Sequence, residues 1–221
     1  MHFRLPKPLH GWRAFAGEVG IIVLGVLIAL AAEQVVENLH WRHKVGVIRQ
    51  SLMGELGNDR ARWESNMSQV PCAKREVAAL DEWAKRASPG AAAPATPQMA
   101  YGLFWWMHWA NWNLASSGDT LDHFPITEQL EFASLYDGIK HREADIETAT
   151  DLGQQVHGLI PLADDAAGRR ELRAVLARLA GKIQAVAQND SYMRRHFDAV
   201  GVKPDRSDFA ADDADAPQCK G

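Results

Sequence analysis

"AGEVGIIVLGVLIALAAEQ", Ala16 to Gln34, is the most hydrophobic stretch of this 221-residue chain, with Glu18 and Glu33 near its two ends. Three readings compete for it: a cleaved export signal, a retained membrane anchor and a buried core helix. The signal reading has a basic lead of Arg4, Lys7 and Arg13, a short apolar core, and Ala29-Leu30-Ala31 as a cleavage motif. The residues beyond that motif argue against cleavage. No proline occurs from Val19 to Met67, and helical periodicity runs on through Leu30, Val35, Val36, Leu39, Val45, Ile48, Leu52 and Leu56.

The uninterrupted apolar run Val19–Ala32 is 14 residues, and counting on to Val36 gives 18. As helix, that is about 27 Å, close to the hydrocarbon thickness of a bilayer. Trp12 and Trp41 bracket it, 29 residues apart. That is about 43 Å of helix, near the full bilayer thickness, and tryptophan prefers the two interfaces. The favoured expectation is therefore a transmembrane helix over 16–38, with Trp12, Arg13 and Trp41 as interface anchors. Basic residues flank it on both sides: Arg4, Lys7 and Arg13 before, Arg42, Lys44 and Arg49 after. Charge barely sets the orientation. The N-terminal amine and the pair Cys72 and Cys219 favour a cytoplasmic N-terminus and a C-terminal domain in an oxidising space.

Glu18 reads either as an interfacial carboxylate within reach of water or as a partner-binding acid. Glu18, Ile22, Gly25, Ala29 and Ala32 share one helix face, and Gly25-x-x-x-Ala29 is a small-x-x-x-small pair that admits a second helix closely.

Beyond the span, scarce β-branched runs and abundant Ala, Leu and Trp point to an all-α protein. The spacing predicts a stalk to about Met67 and a break at Pro71. A second helix is expected over 71–87, with Val77, Leu80 and Trp83 or Ala84 inward. "SPGAAAPATPQ" (88–98) reads as a linker. A third helix is expected over 99–116, ending at a left-handed Gly118. It would carry Trp105, Trp109 and Trp112 on one face, either as a core stripe or as an aromatic ligand surface.

A fourth helix over 126–160 would bury Phe132, Leu135, Ile139, Ile146, Ala149 and Val156. A fifth over 165–200 would bury Leu172, Val175 or Leu176, Leu179, Ile183, Val186, Met193 and Phe197, and end at Gly201. These helices form an antiparallel bundle over 39–201, followed by an acidic tail, 202–221. The even cysteine count predicts a Cys72–Cys219 disulfide.

Gly17-Glu18-Val19 followed by Ile21-Ile22-Val23-Leu24-Gly25-Val26-Leu27-Ile28-Ala29-Leu30 resembles the anchor of a family of uncharacterised bacterial single-span proteins known only as a domain of unknown function. The resemblance continues in Leu52-x-x-Glu55-Leu56-x-x-Asp59, Ser116-Ser117-Gly118-x-x-Leu121, Leu135-Tyr136 and the step Pro71-Cys72. It implies a bacterial inner-membrane protein with a cytoplasmic N-terminus and a helical periplasmic domain. It brings no catalytic residues.

Catalytic signatures are absent: no G-x-S-x-G, Walker loop, H-E-x-x-H or C-x-x-C occurs. Glu37-x-x-His40 has half of a di-iron motif without its second half, and His40 and His43 lack further ligands, so no metal or cofactor is expected. A net charge of −4 with no basic block argues against nucleic acid. The expected function is a membrane-anchored interaction or scaffold protein, partnered by a second copy or another membrane component. A helical module that binds a small ligand at the tryptophan face is the alternative, and an enzyme is the least favoured reading. With about 15 residues ahead of the span, no cytoplasmic output domain is expected.

Overall fold

The computed structural model describes residues 11–86, 88, 90–96 and 104–207, the side chain of Ala14 apart. Among the described residues every regular element is helical. The elements are α1 (Gly11–Arg86), α2 (Ala110–Ser116), α3 (Ile126–Leu159), α4 (Ala166–Gln188) and α5 (Asp190–Val200), with 3-10 turns at Asp119–His123 and Ile160–Leu162. By contacts the chain divides into two compact units, residues 1–47 and 48–221.

In the first unit, α1 exposes its side chains throughout residues 15–40. In the second, α1 buries Leu52, Leu56, Asp59, Trp63, Asn66, Val70, Ala73, Val77, Leu80 and Ala84. Those positions alternate in steps of four and three, the spacing that keeps one helix face turned to the same neighbours. The stripe crosses Pro71 without a change of phase, so the expected break there does not occur and there is one helix rather than two. Pro71 removes the bond to the Met67 carbonyl, but it lies on the exposed face, where water can serve that carbonyl. Continuous burial on the opposite face outweighs the local penalty.

Cross-helix polar pairs give the topology of the second unit. α3 runs parallel to α1: Glu128 in its first turn takes a bidentate bond from Arg49 (2.5 and 2.7 Å), and Tyr136 donates to Glu55 (2.8 Å). α4 and α5 return antiparallel, with Arg173 on Asp81, Lys74 on Gln184, Trp63 Nε1 on Asp190 and Arg60 on Asp198. The predicted stripes of α3 and of α4 with α5 are all buried. The fully buried Trp63 ring sits where α4 gives way to α5.

The expected single fifth helix is thus two. At Asn189 the chain leaves helical geometry for one residue, and the Asn189 amide binds the Ala185 carbonyl. The apolar stripe resumes at Met193, which is why periodicity hid the break. α5 ends as expected at Gly201, whose φ of 77° is left-handed, and Val202 N–H closes on the Phe197 carbonyl. Gly118, in contrast, is extended rather than left-handed (φ −124°, ψ 176°).

After α5 the chain stays packed on the bundle for longer than the acidic tail predicted. Val202 is buried and Asp205 N–H donates to the Gly57 carbonyl at 2.9 Å. A Cβ at Gly57 would stand 3.1 Å from the Lys203 oxygen, a tight contact that the tail would have to relieve by a few tenths of an ångström. The remainder of the tail, with Cys219, lies outside the described residues.

Candidate functional site

The tryptophan segment departs most from expectation. Only Ala110–Ser116 is helical, and residues 104–109 are not, while 97–103 lie outside the described residues. Trp105, Trp109 and Trp112 therefore do not share a helix face. All three are partly exposed, and the core positions in this stretch are Phe104, Met107 and Ala115. Trp112 stacks on Tyr136 with centroids 4.9 Å apart.

The cause is visible in where the backbone bonds go. A helix would send these N–H groups to carbonyls four residues back. Here side chains from α1 and α3 take them. Asn66 binds Trp105 twice, accepting its N–H (2.6 Å) and donating to its carbonyl (2.9 Å). Glu143 accepts Met107 N–H (2.9 Å), Asp59 accepts His108 N–H (2.8 Å), and Glu55 accepts Asn111 N–H (2.9 Å). Asn111 also reaches the Ser51 carbonyl. Successive strap residues thus meet α1 at 66, 59, 55 and 51, so the segment descends antiparallel to α1, strapped across it by a ladder of carboxylates and one amide. A buried backbone group must find a partner, and these side chains supply it.

The ladder is electrostatically loaded. Asp59 is fully buried and Glu143 nearly so. Burial, with Glu55 and Glu143 nearby, pushes the Asp59 carboxyl up to about 8, against the opposing pull of His108 N–H and Arg62. Burial, then the Glu147 charge, raises Glu143 to about 7, opposed by Met107 N–H and Arg62. Burial and the Glu55 carboxylate hold the Tyr136 hydroxyl protonated. Arg62 lies 3.8 Å from Asp59 and touches the His108 ring, whose Nδ1 is 3.9 Å from Asp59. One oxygen of each acid, Asp59 Oδ2 and Glu143 Oε1, has no hydrogen-bond partner among the described residues.

The other sequence candidates stand apart from this cluster. Glu18, Ile22, Gly25, Ala29 and Ala32 are exposed along α1, and a Cβ on Gly25 would meet nothing within 4 Å. Trp12 and Arg13 are exposed. Trp41 is half-buried, bonds to Glu37 and lies under Lys44. Cys72 is half-buried on α1, and its expected partner Cys219 lies outside the described residues. No group of three His, Cys, Asp or Glu among the described residues is placed to hold a metal. A groove of about 480 Å³ lies between α1 and α4, lined by Val77, Ala78, Leu176 and Ala177 with Lys74 and Asp81 at its edge. None of the three tryptophans borders it.

Sequence reading missed Asn66 and Glu143, and met Glu55 and Asp59 only as part of a resemblance. A signal was there: Asp59 and Asn66 occupy positions of the four-three stripe that its pattern reserves for hydrophobes, as Glu143 does between Ile139 and Ile146 on α3. Comparison with protein-family models, with curated proteins and with solved structures finds no match.

Proposed function

We propose that this protein is a single-span, membrane-anchored helical scaffold that binds a second copy or another membrane component. The observation that carries the reading is in α1: an 18-residue window of mean hydropathy 2.4, none of it buried. Such a surface is at home in hydrocarbon and costly in water. The resemblance of its anchor to bacterial single-span proteins supports the same reading, with the N-terminus cytoplasmic, the domain periplasmic and Cys72 bridged to Cys219. The Gly25 face is open to a neighbouring helix. The protein acts by binding; in the ladder, Asp59 and Glu143 each commit one oxygen to holding the strap.

The test is expression of the full chain in a bacterium. It should remain in the membrane pellet after alkaline carbonate, keep its N-terminus, and lose its domain to protease added to spheroplasts. Release by carbonate, or a mature N-terminus near Ala31, overturns the anchor; protease protection overturns the orientation. Photo-crosslinking in the membrane should give a discrete adduct that Gly25→Leu abolishes. Persistence of the adduct in Gly25→Leu removes that face as the interface.

A further inference from the structure

We propose that residues 104–111 form a pH-operated strap, closed on α1 and α3 while Asp59 and Glu143 are protonated and released when they ionise. The argument starts from geometry. Closed, each acid commits one oxygen to a strap N–H, at 2.8 Å for His108 and 2.9 Å for Met107, and leaves the other oxygen without a hydrogen-bond partner among the described residues. A carboxylic acid offers the N–H a neutral carbonyl and leaves one O–H unmet, a cost well below that of a buried charge. A carboxylate would bury a full charge with one of its two oxygens wholly unmet.

The surroundings offset that charge only in part. Asp59 faces Glu55 on its own helix, Glu143 on α3, His108 on the strap, and Arg62 at 3.8 Å. Glu143 faces Glu147 on its own helix and the same Arg62 across the interface. Both acids thus look to one guanidinium, and each has further carboxylates beside it.

The strap is the element able to yield. Residues 104–109 have no helix of their own, and 90–96 ahead of them have no regular structure. α1 and α3 remain joined without the strap through Arg49–Glu128 and Glu55–Tyr136. Once the strap lifts, Asp59 and Glu143 reach water and return to the ordinary carboxylate range. The closed form therefore binds protons more tightly than the open one. It is favoured at low pH and lost as pH rises through about 7 for Glu143 and about 8 for Asp59.

Amide hydrogen exchange on the full chain in lipid nanodiscs, from pH 5.5 to 8.5, tests this, with rates corrected for intrinsic exchange. Protection at Trp105, Met107, His108 and Asn111 should fall by up to about a hundredfold per pH unit below pH 7, where opening releases a proton from each acid, by about tenfold per unit between 7 and 8, and level off above 8, while Leu56 and Leu135 stay protected. Asp59→Asn with Glu143→Gln copies the protonated acids in shape and charge. It should keep the strap protected at every pH, at the level of the parent at pH 5.5. Flat protection in the parent overturns the proposal, and so does an undiminished fall in the double variant. If circular dichroism shows the variant unfolded, the parent decides alone: loss confined to the strap supports release, and no loss refutes it.

Discussion

Two stretches of the same helix use hydrophobic residues in opposite ways. From Val19 to Ala32, α1 is apolar on every side and buries none of it; Ile21 is 74% and Ile22 66% exposed. From Leu52 to Ala84 it is less hydrophobic, yet its apolar residues fall on one stripe that is almost wholly buried. The first stretch has amount without a face, which calls for an apolar solvent. The second has a face, which calls for neighbouring helices. Placement, more than total hydrophobicity, separates a span from a core.

The sharpest way to break this contrast is to truncate one large side chain in each stretch. Trp63→Ala should destabilise the domain by about 3–5 kcal/mol, through the cavity and the lost bond to Asp190, while Leu27→Ala leaves its unfolding unchanged. Denaturant titration followed by far-ultraviolet circular dichroism reads both. Comparable losses would mean the span packs on protein. A charge should reverse the pattern. Leu27→Arg should cost about 3 kcal/mol of membrane insertion and leave the domain's melting point unaltered; fractionation and calorimetry on the same preparation check it.

A subtler test concerns the stripe itself. If burial alone mattered, Asn66→Leu would improve the core. It should instead destabilise the domain by about 1–3 kcal/mol, because Trp105 loses partners for both its N–H and its carbonyl. A gain in melting temperature would show the ladder to be dispensable. The smallest effect is expected at Pro71→Ala, which should raise stability by about 1–2 kcal/mol. It restores a helical bond but also loosens the unfolded chain. A lower melting point would place a real break at this position.

Much of the bundle was legible because it rests on periodicity. Phe132 to Val156 and Leu172 to Phe197 are buried where their spacing put them. Pro71 misled because the local penalty of a proline is smaller than the gain from a ten-position buried stripe. The tryptophans misled for a different reason: Trp105, Trp109 and Trp112 have helical spacing by number, while residues 104–109 are not helical. Nothing within 104–111 announces that its N–H groups will be met from elsewhere.

The sequence alone determined that the chain is helical, that one stretch is apolar enough to cross a membrane, and which faces of the later helices turn inward. These rest on local chemistry repeated at a fixed period. Only the tertiary structure decided that the helix runs through Pro71 and that residues 104–109 form a strap rather than the start of a helix. The acceptors that hold it stand 36 to 60 residues away in the chain. Hydrogen bonds supplied at that distance outweigh local propensity, and no period in the sequence encodes them.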